Sequence, residues 1–186
     1  MTLHDFLALV LASDGDGAAP SNPGRETFLA LVDPRFARSS TCGVALLGWL
    51  RAAGARHPLL DAPTRQGMAF ADLLTIARAF GALHGPDRDP QQGDAVIVGH
   101  LGPGDALTLA EAGGTGHVWL DVGEADDNGR RLGIEGGQRD DAGAQVIRCR
   151  WHELRGGYDR TGDDAPTGQA RRVRYVIDVG AIVDAA

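Results

Sequence analysis

The chain has 186 residues, 43% of them hydrophobic and 23% charged, with a formal net charge of -7. That length supports one domain with its own core and is short for two, and the apolar share excludes disorder throughout. The acidic balance argues against nucleic acid or an anionic membrane surface as partner. No apolar run approaches the roughly 20 residues of a membrane-spanning helix, which argues against membrane insertion.

In chain order, Met1–Ala12 predicts a short amphipathic helix capped by Thr2, with Asp5 three residues on in capping-box spacing. Asp5, with no Lys or Arg ahead of the apolar stretch, reverses the charge pattern of a secretion signal. The chain is therefore expected to be cytoplasmic as synthesised. Asn22-Pro23 predicts a brief helix ending near Asp33-Pro34. Ser39, Ser40 and Thr41 offer cap hydroxyls to a helix over Cys42–Ala53, with Gly54 as its stop. Apolar residues cover most of its circumference, so it should be buried. Met68–Ala82 is a further helix.

From Pro90 the hydrophobic period changes from helical to two. Strands are predicted at Ala95–Val98, His117–Val122, Arg131–Glu135, Ala144–Trp151 and Arg171–Val179. Gly93-Asp94 introduces the first, and Asp126–Gly129 forms a hairpin turn. Leu101–Gly116 and Gly156–Gly168 read as loops. Short connections favour antiparallel pairing. The expected fold class is α+β, with N-terminal helices packed on an antiparallel sheet of about five strands. Residues 1–186 should form a single domain, with 1–38 a helical extension and 39–183 the core.

Two cysteines are too few for a disulfide scaffold or a four-thiolate zinc site. Cys42 falls in the first turn of a helix, where unpaired N–H groups and the positive end of the dipole favour thiolate. Thr41 and Gly43 flank it, and Gly43 leaves room for a substrate backbone. The plainer reading is a small apolar residue beginning a core helix. A cysteine nucleophile needs a base, and His117, beginning a strand after Gly113-Gly114-Thr115-Gly116, is the candidate. Along that strand His117, Trp119 and Asp121 share one face. A third group would orient the imidazole: Glu135 on the next strand, with Gln138 and then Asp121 as alternatives. His152 closes a strand and is expected at the surface, and Cys149 reads as a buried structural thiol.

The TCG helix start, then GDAVIV, GHVWLDV, IEGGQ and the closing RRVRYVIDV, resemble the NlpC/P60 and CHAP superfamily over roughly Thr41 to Val179. These are papain-like cysteine peptidases and amidases acting mainly on peptidoglycan. The resemblance implies a papain-like fold, with Cys42 as nucleophile, His117 as base and Glu135 as third residue. It implies cleavage of an amide bond in a peptidoglycan peptide through a thioester, and no metal or organic cofactor is called for. Without an export signal, such an enzyme would reach the wall as a phage-type lysin or as a toxin delivered by a secretion machine. A toxin would bring an immunity or inhibitor protein as partner. Two other readings are a catalytically silent binding or assembly module and a deamidase or acyltransferase with an intracellular substrate.

Overall fold

A computed structural model describes residues 1–32, 41–61, 69–99, 116–161 and 171–185. The first helix, α1 (Leu3–Leu11), opens on the expected capping box. The Asp5 N–H donates to Thr2 Oγ1 at 3.2 Å, and the Thr2 N–H donates to Asp5 Oδ2 at 3.2 Å. Next come α2 (Arg25–Leu31) and α3 (Thr41–Ala52), the latter stopped at Gly54 with φ +89°. The α4 turn (Pro58–Asp61) is too short to leave a periodic signature, and α5 (Ala69–Ala79) lies inside the expected helix. Ser39, Ser40 and Met68 lie outside the described residues.

The strands are β1 (Leu83–His84), β2 (Asp94–Gly99), β3 (Gly116–Ala125), β4 (Arg131–Arg139), β5 (Gln145–Arg155), β6 (Tyr158–Thr161) and β7 (Arg171–Asp178). The strand ends at Asp178, not Val179, because the Asp178 side chain accepts from the Ala181 N–H at 3.0 Å and starts α6 (Val179–Asp184). Strand order in the sheet is β1-β7-β2-β3-β4-β5-β6. β6 also pairs back onto β7, through Tyr158↔Arg172 and Asp159↔Arg171. Strands β2 to β7 therefore close into a six-stranded antiparallel barrel, with β1 outside on β7.

This corrects the expected architecture. The chain does not form a papain-like set of helices on an open sheet of about five strands. The physical reason lies at Gly156-Gly157, where φ is +60° and +78°. Two consecutive residues of positive φ make the tight turn whose twist suits a β-hairpin. The chain consequently returns as β6 in register with β5, Arg155 opposite Tyr158, where the sequence pattern read as loop.

Closure gives the barrel strands an inner and an outer face. Ala95, Ile97, Val118, Leu120, Ile134 and Ile147 face out and pack with the buried side chains of the helices. Val96, Val98, Trp119, Val173 and Val176 form a separate interior cluster. On β7 the alternation breaks, since Val98 pairs with Val173 and Ile97 with Tyr175, leaving Arg174 over. Val173 thus faces in while Tyr175 packs on the outer cluster.

Candidate functional site

α3 and the barrel meet at Cys42. The helix is apolar almost all round, and Ala45, Leu46, Trp49 and Leu50 are buried in the outer cluster. That packing brings the head of α3 against β3 and β4, where Cys42, 1% exposed, shares a lining with Leu46, Trp49, Val118, Leu120 and Ile134. Thr41 is the first residue of α3 and Gly43 follows Cys42 in it, buried.

His117 sits at the start of β3, opposite Val98 of β2, and is 9% exposed. One edge of its ring interacts with Cys42. Its Nε2 makes a short hydrogen bond with Glu135 Oε2 on β4, where Glu135 is 1% exposed. Since Nε2 is taken by Glu135, Nδ1 is the ring nitrogen left for the thiol. The three candidates named for nucleophile, base and orienting acid are thus in one line.

The electrostatics follow from the line. Burial alone would lower the His117 value. The Glu135 charge, with hydrogen bonds to Cys42 and Glu135, more than reverses it and pushes His117 up to about 10. Burial acts to raise Glu135, while His117, then His152 and Arg150, hold its carboxyl below the ordinary value. His117 is therefore an imidazolium at neutral pH, the form that stabilises an adjacent thiolate.

The alternatives for the orienting residue are engaged elsewhere. Gln138 Oε1 accepts from Arg150 Nη1 at 2.8 Å, and the same nitrogen lies 3.5 Å from Glu135 Oε1, so Gln138 reaches Glu135 only through Arg150. Asp121, fully buried, forms a close ion pair with Arg131 and accepts from the Gly123 N–H at 2.7 Å. It is two residues further along β3 than Trp119 and does not meet His117.

Two residues behave differently from the sequence reading. His152 is not at the surface: it is 0% exposed, and its ring stacks on Trp119 at 4.0 Å and 13°. Closure by β6 turns that face of β5 into the barrel interior. His152 Nδ1 lies 3.2 Å from both carboxylate oxygens of Asp159 on β6, itself fully buried. Its Nε2 lies 3.5 Å from Glu135 Oε2 without hydrogen-bond geometry. On β5 His152 shares a face with Arg150, a face that would meet solvent if β6 did not close the barrel. Cys149, expected to be buried, is only partly so and packs against the outer cluster. Burial, then the Asp14 carboxylate, push it up to about 12.

Among the described residues no group of three or more His, Cys, Asp or Glu could hold a metal ion, and no helix is long and apolar enough to cross a membrane. A cavity of about 440 Å³ lined by Leu9, Thr27, Leu31, Trp49 and Ala52 lies between α1, α2 and α3 and contains none of the candidate residues. No family model, curated protein or solved structure matches this chain.

Proposed function

We propose that this chain is a cysteine hydrolase that cleaves an amide bond, with Cys42 as nucleophile, His117 as acid and base, and Glu135 as the group orienting His117. The observation carrying this is the buried Cys42–His117–Glu135 line, in which the His117 ring meets the thiol and the carboxylate together. The thiolate attacks the amide carbonyl, and backbone N–H groups at the head of α3 stabilise the oxyanion. His117 gives its proton to the leaving amine, leaving a thioester on Cys42. Water then attacks the thioester with His117 as base, expelling the Cys42 thiolate, returning the thiolate–imidazolium pair and releasing the acid. The substrate we assign is a peptide amide of peptidoglycan, supported by the order of the TCG, GHVWLDV and IEGGQ motifs.

One observation favours a second reading. Cys42 is only 1% exposed, which suits a silent binding module as well as a nucleophile that small reagents reach through local opening. Iodoacetamide separates the two. Near pH 7 an activated Cys42 is alkylated faster than Cys149, whose thiol is held up to about 12. Equal rates would refute activation. For substrate, purified muropeptides incubated with the protein should show new peptide fragments by mass spectrometry, absent with Cys42→Ala. Intact muropeptides, or cleavage that survives Cys42→Ala, would overturn the peptidoglycan assignment.

A further inference from the structure

The proposed chemistry uses three side chains and leaves a buried pair beyond them unexplained. Glu135 is faced by His117 from β3 and by Arg150 and His152 from β5, with Asp159 of β6 behind His152 and Cys42 of α3 behind His117. The His152 ring is fixed on three sides. Asp159 holds Nδ1 at 3.2 Å, Trp119 covers one ring face at 4.0 Å, and Gly133 leaves no room for a side chain against its edge. The remaining nitrogen, Nε2, is buried without a hydrogen-bond partner and lies 3.5 Å from the Glu135 oxygen that bonds His117.

A carboxylate beside a bare imidazole lone pair in a dry interior is repulsive. The same approach is attractive when Nε2 carries a hydrogen. Asp159 already claims the hydrogen on Nδ1, so a second hydrogen, on Nε2, is what would satisfy Glu135 as well.

We propose that His152, anchored by Asp159, is a positioning residue for Glu135, making the working unit a line of five side chains instead of three. The inference rests on the hydrolase reading for its purpose. Its geometry does not depend on that reading. His152 acts through Glu135, holding the carboxylate ionised and aimed at His117 so that His117 keeps the orientation that faces the thiol. The charge of His152 is among the causes that hold the Glu135 carboxyl low, which supports this role.

The test reads His117 in the full chain by imidazole ¹⁵N NMR during acid titration, alongside iodoacetamide labelling of Cys42. His152→Asn keeps a donor where Nδ1 stood, toward Asp159, and removes the reach to Glu135. The pH at which acid breaks the His117–Glu135 pair should rise by about one unit, the size expected for losing one close opposite charge. His152→Gln, with an N–H near the position of Nε2, should recover part of that shift. A folded His152→Asn with an unmoved breaking point overturns the proposal. If neither variant folds, the wild-type spectrum decides: the His152 Nε2 must carry hydrogen at neutral pH, and an unprotonated Nε2 overturns the proposal. Should Cys42 label no faster than Cys149 in the wild type while the acid shift appears in the variant, the hydrolase reading fails and the positioning role stands.

Discussion

Replacing Gly133 by alanine asks whether the inner face of β4 is sealed. Gly133 pairs with Asp121 on one side and Arg150 on the other, and its φ is not positive, so the substitution tests space alone. A Cβ there would stand 2.5 Å from Trp119 Cε3 and 2.9 and 3.0 Å from His152 Cδ2 and Nε2. Carbon atoms rest at about 3.5–4.0 Å, so the overlap with Trp119 is about 1 Å. Neither ring can swing into solvent, because Trp119 is 1% and His152 0% exposed and they are stacked on each other. Overpacking of this kind costs about 1–3 kcal/mol. For a chain of this length that lowers the Tm by about 2–12 °C. On the solvated face of an open sheet the sign would be opposite, since alanine is favoured over glycine within a strand by about 0.5–1 kcal/mol. Thermal unfolding of Gly133→Ala, followed by near-ultraviolet circular dichroism, therefore separates a closed barrel from an open sheet. A Tm equal to or above wild type would refute the sealed interior.

Two more outcomes are expected. Because the folded value of His117 is raised to about 10 from 6.5, its share of stability is complete below pH 6.5 and drains away as pH rises to about 10. The lowered Glu135 contributes fully above its ordinary 4.5 and loses that share as pH falls further, so the Tm gap between wild type and Glu135→Gln should peak between pH 4.5 and 6.5. A gap independent of pH would contradict the ion pair. Gly48→Ala would gain about 1 kcal/mol in an isolated helix. In the protein its Cβ would lie 2.5 Å from the Leu31 carbonyl oxygen, so the expected result is a lower Tm in thermal unfolding, and a higher one would show that α2 does not press on α3.

The elements with strong periodicity or explicit end signals were legible. The Thr2–Asp5 box, the buried α3 with Gly54 behind it and the strand beginning at His117 all occur where the pattern places them. The missed elements are the short ones. β1 has two residues, while α4 and β6 have four each, too few for a hydrophobic period to show. Of these β6 mattered most. Tyr158–Thr161 is polar, and it is held in the barrel by backbone pairing that β5 and β7 supply on its two sides. Its signal was the Gly156-Gly157 dipeptide, a hairpin turn in its own right. Placing that turn would have carried the closure with it.

The same omission explains the divided legibility of the site. Cys42, His117 and Glu135 could be named because each has a local cue: a helix start, a strand after glycines, an acid among apolar neighbours. His152 and Asp159 have no local cue, because their environment exists only once β6 joins β5 to β7. Closure also changes what their charges mean. The barrel interior accepts valines readily, and Val96, Val98, Val173 and Val176 fill one part of it. The part beside them holds Glu135, His152 and Asp159, each 1% exposed or less. Desolvating such groups costs several kcal/mol per ion, and well-packed apolar side chains of similar volume often do as well or better for stability. Removing a single member is worse than either, since it strands its partner's charge in a dry space. Stability therefore gives no reason to build this part of the interior from ionisable groups. Holding an imidazolium against a cysteine does give one, because it needs a carboxylate that stays ionised and cannot turn away.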